Sequence, residues 1–292
     1  MISLAAAAAD SAGMNGWQAL LLGLVEGVTE YLPVSSTGHL LLTQRALGMG
    51  QTDAADAFAI CIQAGAIVAV LGLYRQRTLQ MLDGLRGKNE AGRKLAINLV
   101  ASFIPAAVLG LILSKLIKKY LFAGKEWGLW PVVGAWFVGG IAILAVSAYR
   151  KRRQGAEVVG GDLETLTIPQ AVIIGFCQCL AMWPGTSRSL VSIVGGVLVG
   201  LRMSAAVEFS FLLGVLSLSA ATAKDAVEHG QAMLSAFGWF PLLVGFGAAW
   251  ALAVLAVRWM VGYLNRRGLE IFGYYRIGLA LVCAVLIVRG ML

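Results

Sequence analysis

Apolar residues run almost unbroken through six stretches of this chain, at about 54–74, 95–113, 131–149, 204–223, 239–261 and 274–291. Each is long enough to cross the hydrocarbon core of a bilayer as a helix, which takes about 20 residues. Two further apolar regions, 17–48 and 168–201, are interrupted by polar and turn-forming residues. The first break is Leu32-Pro33-Val34-Ser35-Ser36-Thr37-Gly38-His39, the second Trp183-Pro184-Gly185-Thr186-Ser187-Arg188-Ser189. Broken backbone survives at membrane depth only when buried in protein or lining a wet cavity. The pattern therefore predicts an all-α polytopic membrane protein with two broken helices shielded by six spanning ones.

The two broken regions echo each other. Gly23-Leu24-Val25-Glu26 followed by Pro33 and Ser36 matches Gly175-Phe176-Cys177-Gln178 followed by Pro184 and Ser187. Each region precedes three spans. A half with three crossings and a re-entrant pair places its duplicate upside down, so the order predicts two inverted-topology repeats with the breaks meeting near the midplane. The expected layout is one membrane domain: a tail at 1–16, a first repeat at 17–150 and a second at 160–292.

Composition supports the bilayer. Hydrophobic residues make up 59% of the 292 and charged ones only 13%, about half the share usual in a soluble domain. The 36 glycines suit close helix–helix packing. A net charge of +8 does not point to nucleic acid, because the basic residues fall in short runs beside apolar stretches, where anionic head groups lie. With the N-terminus outside, the cytoplasmic loops 75–94, 150–168 and 262–276 take most of them, Arg276 included, and the outside loops keep Lys115, Lys118, Lys119, Lys125 and Lys224. The Met1–Gly13 stretch has no Lys or Arg and does not read as a cleaved signal. Cys61, Cys177, Cys179 and Cys283 lie in apolar segments and read as inert thiols.

Ionisable groups inside apolar segments are expensive and functional by default. Here they are Glu26, Glu30, His39, Arg188 and Glu208. Glu26 and Glu30 share a helix face and would repel without a proton or a cation between them; Mg²⁺ or Ca²⁺ suits such oxygen ligands. Ser36 and His39 sit three apart, the spacing of a nucleophile and its base, although Ser35, Ser36 and Thr37 also suit a helix cap. Arg188 opens a helix within a Gly/Ser/Thr turn, an anion site to which Thr37, Gly185, Ser187 and Ser189 add small or donor groups. Gln63, Gln178 and Glu208 are candidates for supporting positions, while His229, beside Lys224, Asp225 and Glu228, reads as a solvated residue of an outside loop. Two carboxylates, Ser, His, Arg and two helix starts suit phosphoryl transfer on a substrate with a lipid tail. The competing reading is a polyprenyl-phosphate flippase, since inverted repeats with broken helices also build transporters. A carrier needs no nucleophile and base.

The run Glu26-Gly-Val-Thr-Glu30-Tyr-Leu-Pro33-Val-Ser-Ser36-Thr-Gly-His39 closely resembles the first motif of the undecaprenyl-diphosphate phosphatases of the bacitracin-resistance type. Pro184-Gly-Thr-Ser-Arg188-Ser resembles the second, and the likeness extends from about residue 18 to the C-terminus. Two positions depart from that family's pattern, where Leu190 replaces a Gly and Ser192 a Thr. The resemblance implies hydrolysis of undecaprenyl diphosphate to the monophosphate carrier of cell-wall synthesis, bacitracin resistance and a divalent cation. It also implies a site open to the outer face of the bacterial inner membrane. It makes Glu26 and Glu30 the metal-side carboxylates, Ser36 and His39 the catalytic pair and Arg188 the phosphate clamp. The partners implied are a polyprenyl diphosphate lipid and the phospholipid bilayer; pairing with a second copy as a homodimer is left open. Whether Ser36 attacks or positions an activated water is also left open.

Overall fold

The computed structural model describes residues 14–49, 52–117, 128–153 and 160–292. The tail to Gly13 and Lys118, Lys119 and Lys125 lie outside them. Among the described residues are eleven α-helices: α1 (Gly16–Thr29), α2 (Ser36–Ala46), α3 (Asp53–Leu73), α4 (Arg75–Leu85), α5 (Glu90–Ile117), α6 (Trp130–Arg153), α7 (Ile168–Cys179), α8 (Arg188–Leu198), α9 (Met203–Phe237), α10 (Trp239–Arg267) and α11 (Glu270–Val288). Single 3₁₀ turns sit at Leu163–Thr165 and Leu180–Met182, and one isolated bridge joins Gly161 to Leu201. Six helices, α3, α5, α6, α9, α10 and α11, are long and apolar enough to cross a membrane. They match the six apolar stretches, with ends shifted by a few residues.

The two broken regions fold as helical hairpins. Asn15 and Gln18 cap α1 reciprocally, and Thr167 and Gln170 do the same for α7. Proline, which lacks an N–H and bars the preceding residue from helix, follows each first helix as Pro33 and Pro184. Each second helix then starts from a serine with left-handed backbone, Ser35 at φ 75° and Ser187 at φ 73°. A non-glycine residue there is strained and must be held by its surroundings. Gln170 Nε2 donates to Val199 O at 2.9 Å, closing the base of the second hairpin.

The strained serines set the true register of the echo. Aligning Ser35 with Ser187 places Glu26 opposite Gln178, Glu30 opposite Met182 and Ser36 opposite Arg188. The sequence pairing of Ser36 with Ser187 is therefore off by one, because it aligned the prolines rather than the backbone turn.

Helix α1 packs on α10, and α7 packs on α5, so each hairpin is held by a helix from the other half of the chain. Close approach is set by glycine: a Cβ on Gly23 would lie 2.3 Å from Gly245 O, and one on Gly175 2.3 Å from Ser102 O. Helix α3 packs on α9 and α6 on α11.

Two of the basic segments expected on one side, 75–94 and 150–168, meet in an ionic cluster. Arg77 binds Glu164 at 3.0 Å and Glu208 at 2.6 Å, and Lys94 Nζ donates to Glu164 O at 2.6 Å. A backbone hydrogen bond and the Arg77 guanidinium hold the Glu164 carboxyl below its usual range. Glu208 thus serves this ionic network; its apolar flanks had suggested a supporting role at the site. Arg276 is not a loop residue. It lies within α11 and is fully buried. His229 is not in a loop either: α9 runs on to Phe237, and His229, partly buried on it, lies 3.6 Å from Asp225 Oδ1. Gly238, at φ 72°, turns the chain directly into α10.

Candidate active site

The hairpin tips meet. Ser189 Oγ donates to Leu32 O at 2.9 Å, and Arg188 Nη2 lies 3.2 Å from Glu30 Oε1. Arg276 ties both tips from behind, with Nη1 donating to Pro33 O at 3.3 Å and Nη2 to Gly185 O at 2.9 Å and Ala135 O at 2.7 Å. These bonds span a sequence distance that no local pattern exposes. They over-determine the two strained turns, which is what strain at Ser35 and Ser187 requires.

Between the tips lies a cavity of about 310 Å³. Glu30, Ser36, Thr37 and Arg188 border it on the polar side, while Ala106, Met182, Leu218 and Ala221 border it on the apolar side. A polar head and an apolar tail could enter one space.

The central contact is Ser36 Oγ to Glu30 Oε2 at 2.5 Å, both residues buried. Glu30 therefore uses one oxygen for the serine hydroxyl and the other for Arg188. The guanidinium is further fixed by Nη1 donating to Ser210 O at 3.1 Å and by its position over the Tyr31 ring, 5.5 Å from the centroid. Its Nε has no partner. A short carboxylate–hydroxyl contact beside an under-used guanidinium can accept a proton and bind an oxyanion at once.

Glu26 is fully buried, no donor among the described residues reaches its oxygens, and its carboxyl meets that of Glu30. A carboxylate in that state must hold a proton or a cation. Glu30 sits one helical turn away. Hard oxygen donors at this spacing fit Mg²⁺ or Ca²⁺.

His39 is placed differently from the expectation. Its Nδ1 contacts Ser35 O at 2.7 Å and its Nε2 contacts Tyr275 Oη at 2.7 Å, with the two rings stacked. The serine hydroxyl goes to Glu30 instead, because Ser36 begins α2 and points back toward α1. Thr37, Gly185 and Ser187 border the cavity. Ser189 does not; it is fully buried and committed to Leu32 O. Gln63 and Gln178 both border the cavity. Leu190 is buried in the apolar core away from the cavity, and Ser192 Oγ donates to Arg188 O at 2.7 Å. Sequence reasoning also misplaced Arg276, which ties the two tips together. Its signal was its position seven residues into a helix rather than at a flank, visible only once the helix start at Glu270 is known.

Comparison with known proteins identifies the family. Residues 19–282 match the family model described as bacitracin resistance protein BacA. An undecaprenyl-diphosphatase of Sorangium cellulosum is 45% identical over 269 residues, covering 91% of this chain and 84% of the relative. One from Aquifex aeolicus is 38% identical, covering 93% and 98%, and one from Nitrosomonas europaea is 41% identical, covering 94% and 95%. The chain belongs to the BacA family.

Proposed function

We propose that this protein hydrolyses undecaprenyl diphosphate to undecaprenyl phosphate and inorganic phosphate, recycling the cell-wall carrier lipid and conferring bacitracin resistance. The observation that carries the chemistry is the line Ser36–Glu30–Arg188 facing a cavity with an apolar flank. The names of the family relatives supply the substrate.

Arg188 takes the terminal phosphate through its free donor edge, while Ser36 faces the phosphorus. As Ser36 attacks, its proton passes to Glu30 Oε2, which already touches the hydroxyl. A phosphoserine then forms and undecaprenyl phosphate leaves; water releases the phosphate. In the alternative route Ser36 aims a water whose proton goes to the same carboxylate. Glu26 and Glu30 would hold a divalent cation, which offsets the negative charge of the diphosphate. His39 restrains the carbonyl of Ser35 and so holds the strained turn that presents Ser36.

The architecture supporting this reading is a pair of inverted repeats whose hairpins are re-entrant from opposite faces. Exchange of packing partners between α1–α10 and α7–α5 supports it, as does the matched strain at Ser35 and Ser187. The meeting of Arg77 and Lys94 with Glu164 supports a cytoplasmic face there, leaving the site open outward in a bacterial inner membrane.

The test is phosphate release by purified protein from undecaprenyl or farnesyl diphosphate, with Ser36→Ala beside the wild type. Release that Ser36→Ala eliminates is expected. Absence of release with any divalent cation would overturn the phosphatase and favour a lipid-phosphate flippase.

A further inference from the structure

The two hairpins share a backbone but carry opposite chemistry. In the register set by Ser35 and Ser187, the first hairpin supplies Glu26, Glu30 and Ser36, and the second supplies Gln178, Met182 and Arg188 at the matching places. Carboxylates and a hydroxyl are answered by a carboxamide, a thioether and a guanidinium. The first side suits cations and proton acceptance. The second carries no acid at these places and suits an anion.

Gln178 is the unexplained member. It is 4% exposed, on the last turn of α7, and it borders the cavity with Arg188 and Ser36. Its Oε1 is buried with no hydrogen-bond partner. An unmet carboxamide oxygen in an apolar setting costs about 1–3 kcal/mol and calls for a donor or a cation, which makes cation binding the competing outcome below. With Oε1 turned away from the cavity that Gln178 borders, the NH₂ end is the one a ligand there meets, and it is a donor.

Charge count adds a reason for a neutral donor. Arg188 is the cation bordering the cavity, and it is already half neutralised by Glu30. A diphosphate needs further donors, and a carboxamide supplies them while still letting the less charged product leave.

We propose that Gln178 is a second phosphate-binding residue, donating its carboxamide N–H groups to oxygens of the diphosphate beside Arg188. The proposal rests on the phosphatase reading for its substrate, but not for its ligand chemistry, which is an oxyanion. The alternative outcome is that Gln178 offers Oε1 to a divalent cation, and two substitutions separate these. Gln178→Glu keeps the shape, removes the donors and adds a negative charge. Gln178→Met keeps the length and removes both donor and acceptor.

The experiment uses full-length protein in detergent and measures three quantities: KM and kcat for undecaprenyl diphosphate, binding of inorganic diphosphate, and binding of Mn²⁺. With Gln178→Met, KM is expected to rise about tenfold, the equivalent of ~1.4 kcal/mol, with kcat changing less. With Gln178→Glu, KM rises by about a hundredfold or more, inorganic diphosphate binding weakens in parallel, and Mn²⁺ affinity stays at the wild-type value. An unchanged KM and diphosphate affinity in Gln178→Glu would overturn the proposal. So would Mn²⁺ affinity that falls in Gln178→Met and recovers in Gln178→Glu, which assigns the carboxamide to the cation. Should Gln178→Met fail to fold, the nearly isosteric Gln178→Glu still decides. If the wild type shows no hydrolysis, the phosphatase reading fails, while loss of diphosphate binding in Gln178→Glu still supports the anion site.

Discussion

Gly214 lies on α9 directly beneath the Arg188 guanidinium, and replacing it with alanine isolates the position of that group from its chemistry. A Cβ at 214 would stand 2.2 Å from Nη1 and 2.6 Å from Cζ of Arg188, where ordinary contact begins at 3.4 Å. The backbone of α9 is fixed by its packing on α3 and α8, so the guanidinium must retreat by roughly 1 Å, and misplacement on that scale costs about a hundredfold in rate. The retreat also strains the 3.2 Å ion pair with Glu30 and the 3.1 Å bond to Ser210 O. Helix propensity acts the other way, favouring alanine over glycine by ~1 kcal/mol. The expected result for Gly214→Ala is kcat/KM down about a hundredfold, equivalent to ~2.7 kcal/mol of transition-state stabilisation, with a thermal midpoint near the wild-type value. Gly247→Ala on α10, where a Cβ meets nothing within 4 Å, is the control and keeps full turnover. The assay is phosphate release over a substrate range, beside thermal unfolding in the same detergent. A kcat/KM for Gly214→Ala within threefold of wild type would refute the reasoning, since it would mean that Arg188 tolerates displacement and is not the clamp.

Glu30→Gln is expected to slow turnover by about a thousandfold, the scale of a lost proton acceptor, and His39→Gln by only about tenfold; the reverse order would return the base to His39. Chelation with EDTA should stop hydrolysis and Mg²⁺ or Ca²⁺ should restore it, whereas metal-independent turnover would leave Glu26 holding a proton instead. Arg276→Lys keeps the charge but loses the fork that reaches Pro33, Ala135 and Gly185, so stability should fall by about 3 kcal/mol or more in denaturation; an unchanged midpoint would show the tips are held by other means. Glu208→Gln should leave turnover intact, because its partner is Arg77 at the far end of the ionic network, and a large loss of kcat would return Glu208 to the site.

The spans were legible because hydropathy over about 20 residues is a strong signal, and the breaks because proline and clustered serines cannot continue an apolar helix. Candidates for the site were legible for a related reason: an acid or a cation in an apolar stretch stands out, as Glu30 and Arg188, which border the cavity, did, and as Glu26, buried without bordering it, did too. What failed depended on the third dimension. Glu208 stands out in the same way, but its partner Arg77 is 131 positions away in sequence. Arg276 follows Arg266 and Arg267 closely enough to read as the end of a basic loop, yet the chain re-enters helix at Glu270 and carries it inward. His39 has the right spacing from Ser36, but a serine at the first position of a helix can turn its hydroxyl toward the preceding helix, and Glu30 was there to receive it.

Arg276 is a buried cation whose described partners are backbone carbonyls of Pro33, Ala135, Trp136 and Gly185 and no carboxylate, while Glu26 is a buried carboxylate with no donor. Pairing the two would have satisfied both, and the fold keeps them apart. The separation has a use on each side. Drawing the Pro33 and Gly185 carbonyls back toward Arg276 sets the starts of α2 and α8, where helix amides lack intrahelical partners, beside the cavity bordered by Ser36, Thr37, Ser187 and Arg188. An arginine answered only by dipoles keeps its full positive charge behind those turns, where low dielectric preserves its pull on a diphosphate. A Glu26 that meets only the Glu30 carboxyl calls for a proton or a cation between the two. The cost of burying such groups is offset when the substrate and its cation arrive together.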